Sequence, residues 1–385
     1  MDSSQLGNDH LVREIIDLTS QLVGIPAQTD IDSEKAIAEF THKWLTTHGL
    51  PSQIISPEQH PSILCVVKKG NGPVLWLESP LDTVPAGDPA NWQTASPFKT
   101  EIVDGRMIGR GVADARLAIA MFSILAREIS QDSAFKGTLV LAFDADEQSG
   151  RFTGIQQIIQ KAPRPDGIIL GYQGAGEISI GARGILRLWV HIQGKSAHPG
   201  SRSRKGVNAI NRMAQVLSAL SETSLTSHTE PYFPFGSQLQ PTLINGGDAL
   251  NKVPDQCSAF IDIRLLPSME KTQVLNQIAA IIDDIHDGHY ELEEVQHYRG
   301  FLTRPDSRLV QIVQEEAEQA CGKQLPLVAS GPTSVGCVLA DQAPVINCFG
   351  VESGNVHADN EWMLPADIPA VYQTWYQTVI RFCSV

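Results

Sequence analysis

Apolar residues Leu11, Ile15, Ile16, Leu18 and Leu22 recur at helical spacing and predict a helix over residues 10–23. The pattern repeats over 33–48, with Asp32 and Ser33 as caps and Gly49 as the stop. Runs 61–69 and 73–79 predict strands, and Gly70-Asn71-Gly72 between them predicts a hairpin. A second hairpin is predicted over 102–108 around Asp104-Gly105, and a helix over 115–129 behind Gly109-Arg110-Gly111. The run from Gly137 to Phe143 predicts a buried strand, 152–161 a short helix and 167–171 another buried strand. Strands and helices alternating in this way predict an α/β sheet.

Beyond about residue 180 the pattern changes. Residues 178–192 read as paired strands around Arg183-Gly184, followed by helix 207–220, strand 257–266, helix 270–285 and strand 290–297. Two helices on a four-stranded antiparallel sheet account for that order, as an insert of roughly 110 residues. From Asp306 the chain returns to helix as far as Cys321, a glycine-bearing loop, a buried strand over 344–349 and a last helix from Ala366. The expected organisation is a first part of a catalytic domain over 1–182, an inserted domain over 183–297, and the second part of the catalytic domain over 298–385.

Composition narrows the function classes. The 385 residues suffice for two domains and a large core. Lys and Arg number 29 against 43 Asp and Glu, a net charge of −14, and the longest basic run is the short Arg202-Ser203-Arg204-Lys205. Such a chain lacks the basic footprint that nucleic acid demands. The six cysteines form no Cys-x-x-Cys pair and are expected as buried free thiols. With no apolar run approaching a membrane span, a cytoplasmic setting is expected.

The candidate chemistry starts at Asp144-Ala145-Asp146-Glu147-Gln148-Ser149-Gly150, directly after the apolar strand. Open α/β sheets place their chemistry at the carboxyl ends of strands. A partly desolvated carboxylate there is either a general base with a raised pKa or one of the acids capping the next helix.

Further pieces fall into one order. Leu81-Asp82-Thr83-Val84-Pro85, Pro97-Phe98, Asp104-Gly105, Gly109-Arg110-Gly111 and Asp114 come first, then Asp146-Glu147. Gly194-Lys195-Ser196-Ala197-His198-Pro199-Gly200, Asn208-Ala209, Gly246-Gly247 with Asn251 and Pro254, Asp262-Ile263-Arg264, and His357 with Glu361 complete the series. This succession resembles the zinc-dependent family of aminoacylase, acetylornithine deacetylase, succinyl-diaminopimelate desuccinylase and glutamate carboxypeptidase, over about residues 10–380. The resemblance implies a phosphorylase/hydrolase-like mixed-sheet α/β catalytic domain interrupted by an α+β lid or dimerisation domain. It implies a zinc pair bridged by a carboxylate, and an activated water that attacks an amide carbonyl. By the same resemblance Asp114 is the bridging ligand, Glu147 the general base, His357 a terminal ligand and Asp82 the residue orienting a first histidine ligand. His198 corresponds to an oxyanion-stabilising histidine, Arg264 and Asn251 to carboxylate-binding residues, and Thr333 and Ser334 to a substrate loop.

The departures fall on the metal ligands. Pro80 stands where the family has its first histidine, Gln148 where it has a second glutamate, and Gly171-Tyr172-Gln173 where a further ligand follows a strand. Proline has no donor atom, and a neutral amide is a poor zinc ligand. Asp114 and His357, with Gln148 as a weak third, are left to hold none or one weakly bound divalent metal. Alternatively, Asp82, Asp146 and Gln173 substitute and favour a harder ion. Glu147, without a neighbouring cation, is expected to titrate high.

The expected function is amide or acyl chemistry on a small carboxylate-bearing substrate: transfer, cyclisation or amide formation without a zinc pair. The alternatives are a non-catalytic binder of a small carboxylate or partner protein, and a conventional metal-dependent amidohydrolase with substitute ligands. A homodimer is the partner that the resemblance implies.

Overall fold

The computed structural model describes residues 3–56, 58–200, 202, 205–225 and 230–384; Ser203 and Arg204 of the short basic run lie outside them. The chain divides into two compact units. The first runs up to Gly181 and resumes over Thr303–Val328 and from Ser334; the second comprises Ala182–Leu302 and Ala329–Thr333.

The first unit is built on a six-stranded sheet in the order Ser52–Ile55, Ser62–Lys68, Thr138–Asp144, Val74–Pro80, Gly167–Leu170, Val345–Ile346. The last four run parallel, while Ser62–Lys68 joins antiparallel to both of its neighbours. Every residue of Thr138–Asp144 is buried, which explains its unbroken apolar run from Leu139 to Phe143. Helices Ser3–Val23, Lys35–Thr47, Leu117–Gln131, Thr153–Ile159, Arg308–Cys321 and Ile368–Cys383 belong to this unit. The expected mixed α/β fold is borne out.

The glycine-linked hairpin is not. Thr138–Asp144 enters between Ser62–Lys68 and Val74–Pro80, so the two expected partners never pair. Gly70 and Gly72 are needed for close approach instead: a Cβ would stand 2.1 Å from the Lys136 carbonyl at Gly70 and 2.5 Å from the Cys383 carbonyl at Gly72. The hairpin of Glu101–Val103 with Arg106–Ile108 does form around Asp104-Gly105, both at positive φ.

The second unit is a four-stranded antiparallel sheet ordered Gln238–Gly246, Gln256–Leu265, Gly184–Gln193, Tyr290–Tyr298, with helices Ala209–Glu222 and Lys271–Ile285. Leu186, Leu188, Val190, Ile192, Ala259, Ile261 and Ile263 alternate onto the helix-covered face and form its core with Met213, Val216 and Ile278. The inserted module of two helices on four strands is therefore present, but its composition differs from the expectation. Ile178–Ala182 and Gly184–Gln193 do not pair with each other, and the fourth strand is Gln238–Gly246. That edge strand exposes Leu243 and Ile244 and is bulged after Pro241, so it lacks the apolar face that would announce it. Among the described residues, no helix is long and apolar enough to cross a membrane.

Candidate active site

Three adjacent parallel strands, Thr138–Asp144, Val74–Pro80 and Gly167–Leu170, deliver their carboxyl ends to one place. The loops that leave them carry Asp82, Glu147, Gln148 and Tyr172. A fourth segment, the irregular turn Val112–Arg116, brings Asp114 at the head of helix Leu117–Gln131.

Asp82 organises the turn after the first strand. It is fully buried; one oxygen accepts from the Glu147 amide at 3.0 Å, the other from the Gln148 amide at 3.0 Å and the Thr29 hydroxyl at 2.7 Å. Burial pushes its pKa up to about 6, against the lowering effect of those three donors. Asp82 thus grips backbone, where the resemblance implied the orientation of a histidine.

Glu147 is buried, and the Tyr172 hydroxyl donates to its Oε1 at 2.6 Å. Its pKa stands well above the usual range, through burial first and then the charges of Asp114, Asp144 and Asp82; the tyrosine hydrogen bond works the other way. The Tyr172 phenol is itself raised by burial and the nearby carboxylates. An apolar cavity of about 20 Å³ lies beside it, lined by Leu117, Met121, Phe122, Phe349 and Trp375 among others.

Asp114 receives the Gln148 side-chain amide at 3.2 Å and His357 Nε2 at 2.9 Å. His357 is more than half exposed, and the carboxylate raises its pKa. Glu361 holds the turn from beneath, accepting from Arg110 Nη1 at 2.7 Å and from the amides of Gly111, Ala113 and Asp114 at 2.9–3.0 Å. Arg116, fully buried, donates to the Leu81 carbonyl.

These donors do not fit a zinc pair. A zinc ion that does chemistry is normally held by three protein ligands. Pro80 offers no donor, the Gln148 amide donates to Asp114, the Tyr172 phenol donates to Glu147, and both oxygens of Asp82 are occupied. The substitute set Asp82, Asp146 and Gln173 is not assembled either. Asp146 is tied to Ser149, Thr153 and Arg151 by bonds of 2.5–3.2 Å, while Gln173 borders the apolar cavity. Asp114 and His357 remain, bonded to each other. Among the described residues, no three His, Cys, Asp or Glu side chains are grouped to hold a metal ion.

The second unit carries the other candidates. Arg264 is ion-paired to Asp262 at 2.7 Å and donates to the Thr333 hydroxyl at 3.1 Å. Asp262 also accepts from Arg187 at 2.9 Å, its partner on the neighbouring strand. The Arg264 guanidinium is thus engaged in a strand-end salt bridge. His198 is exposed, with Nδ1 accepting from the Gly200 amide at 3.1 Å, and Asn251 is exposed in the turn after Gln238–Gly246. Ser334, in the first unit, is buried; its hydroxyl donates to Asn347 at 2.5 Å and accepts from the Gly336 amide at 3.2 Å.

Sequence reasoning passed over Glu78, took Asp144 only as the first acid of the 144–150 stretch, and read Tyr172 only as part of a lost ligand position. Each had a signal: a phenol directly after Gly171, and acids within or ending apolar strands.

The profile of Peptidase family M20/M25/M40 matches residues 76–381, which spans both units. The chain belongs to this family. It is an amidohydrolase-family enzyme, and the resemblance read from the ordered sequence blocks is borne out. Succinyl-diaminopimelate desuccinylase 2 of Ruegeria sp. (strain TM1040) is 27% identical over 380 residues, covering 95% of this chain and 94% of that protein. A tripeptidase structure from Staphylococcus aureus superposes with a TM-score of 0.80 at 21% identity, covering 97% of this chain and 99% of the other. The M20 family metallo-carboxypeptidase of Sulfolobus solfataricus gives 0.79 at 14% identity, covering 97% and 100%. Identities this low to the solved structures speak for the fold alone.

Proposed function

We propose that this enzyme acts on the amide bond of a small N-acyl amino acid or peptide, with its own side chains in place of a zinc pair as the proton carriers. The observation that carries the reading is the 2.6 Å hydrogen bond from Tyr172 to Glu147, formed where the family's ligand positions hold tyrosine, glutamine and proline. Burial and the surrounding carboxylates raise the Glu147 carboxyl well above its ordinary range, which makes its ionised form a stronger proton acceptor. The Tyr172 hydroxyl donates to Glu147 while that carboxylate is ionised; once Glu147 has taken up a proton, the phenol is free to donate to a carbonyl oxygen as negative charge develops there. His357, held by Asp114 and open to solvent, supplies a second exchangeable proton.

Within the second unit, Arg264, Asn251 and Thr333 are the carboxylate-binding residues that the resemblance implies, and His198 its oxyanion-assisting histidine. An arginine suits a carboxylate because its planar fork matches both oxygens. The desuccinylase relative makes an N-succinyl amino acid the first substrate to try. Acyl transfer to an amine or ring closure asks for the same proton movements as hydrolysis. A second copy of the chain is the expected partner, measurable by light scattering.

The test is turnover of N-succinyl-diaminopimelate, other N-acyl amino acids and small peptides, with and without chelator and with an added amine acceptor. Turnover that survives chelation and is lost in Glu147→Gln is the expected result. Turnover that chelator abolishes and zinc restores overturns the reading.

A further inference from the structure

Glu78 and Asp144 lie beneath the site and play no part in the chemistry above. Both are fully buried. Glu78 pairs in register with Ala142, and Pro80 with Asp144, on parallel strands. With side chains alternating across a sheet, Glu78 and Asp144 share one face, two residues apart along it.

The other buried acids of this region are supplied with donors. Asp82, Asp146, Glu147 and Glu361 each accept at least one N–H or hydroxyl. All four carboxyl oxygens of Glu78 and Asp144 lack any such partner. The charged groups facing the pair are acidic as well: Glu147 and Asp114 towards Glu78, and Asp82 and Asp146 towards Asp144. Two unpaired buried carboxylates among more carboxylates cost several kcal/mol each. Protonation removes that cost, and the donor that the four oxygens lack is then a carboxyl proton.

We propose that Glu78 and Asp144 hold one proton between them at neutral pH, as a hydrogen-bonded carboxyl–carboxylate pair walled off from solvent beneath Glu147. Burial acts on both groups in that direction, raising Glu78 far above the carboxylate range and Asp144 to about 7. The two then titrate as a unit. The negative charge that remains on the pair adds to the field holding Glu147 towards its protonated form. This last effect rests on the metal-independent reading; the shared proton does not.

Infrared spectra of the full chain in mildly alkaline buffer test the proposal without any substrate. The wild type is expected to show the C=O stretch of a protonated carboxyl above the amide band, shifting in D₂O. The band should persist in Glu147→Gln and be lost or displaced in Glu78→Gln and in Asp144→Asn. A folded wild type without the band overturns the proposal. So does a band untouched by both pair variants, or one that vanishes in Glu147→Gln. If neither pair variant folds, the wild type and Glu147→Gln decide between these outcomes. Failure of the proposed turnover leaves this measurement unaffected.

Discussion

Tyr172 donates its phenolic proton to Glu147 across 2.6 Å, from the loop after one strand to the turn after another. The bond stabilises the ionised glutamate, so Tyr172→Phe should raise the Glu147 pKa further. The acid limb of a pH–rate profile should move to higher pH, and kcat should fall about 10- to 100-fold, the worth of one hydrogen bond to a buried charge. An acid limb that stays where it was would remove Tyr172 from the chemistry.

Asp82→Ala should strip an acceptor from the Glu147 and Gln148 amides and from Thr29 at once. Orphaned buried donors make this a loss on the order of 3 kcal/mol, offset in part because the costly Asp82 charge also leaves. A fall of about 5 °C in Tm is expected, together with a loss of turnover larger than stability explains. Thermal melts and kinetics at one temperature separate the two effects.

Asp144 is an acid whose folded pKa, about 7, exceeds its ordinary 3.8. Its protonated form fits the fold, so its contribution is fully present below 3.8 and is lost as pH rises through about 7. Asp144→Asn should therefore match the wild type in stability at about pH 4 and exceed it at about pH 8, by something on the order of 1–4 kcal/mol. Denaturant melts across that range check the sign; a variant weakened more at alkaline than at acid pH would contradict it.

Restoring the family's donors should restore a metal. The purified wild type is expected to carry well under one zinc per chain after dialysis. A Pro80→His, Gln148→Glu, Tyr172→Glu variant should retain zinc and become sensitive to chelator, because each added ligand contributes several kcal/mol of binding. Elemental analysis of both proteins is the measurement. Stoichiometric zinc in the wild type would refute the donor argument.

The sequence made the fold legible wherever burial was one-sided or complete. The apolar run from Leu139 to Phe143 and the helical spacing in the Leu117–Gln131 region are unambiguous. The hairpin expected at Gly70-Asn71-Gly72 failed because glycine serves close backbone contact as readily as a tight turn, and only the inserted strand tells the two apart. The strand Gln238–Gly246 escaped notice because an edge strand with little buried surface leaves almost no periodic trace. At the site, the resemblance nominated Asp82, Asp114, Glu147 and His357, which the fold gathers in one unit. It could not nominate Tyr172, Glu78 or Asp144, since a pattern inherited from metal ligands has no place for a phenol or for acids buried under the floor.

Glu361 has one further consequence. The carboxylate that fixes the backbone of Gly111, Ala113 and Asp114 lies about 250 residues downstream of them. During synthesis the catalytic turn stays unanchored until the roughly 250 residues that separate it from Glu361 have been made. A chain that stops before this glutamate lacks the one carboxylate that accepts from the Gly111, Ala113 and Asp114 amides together.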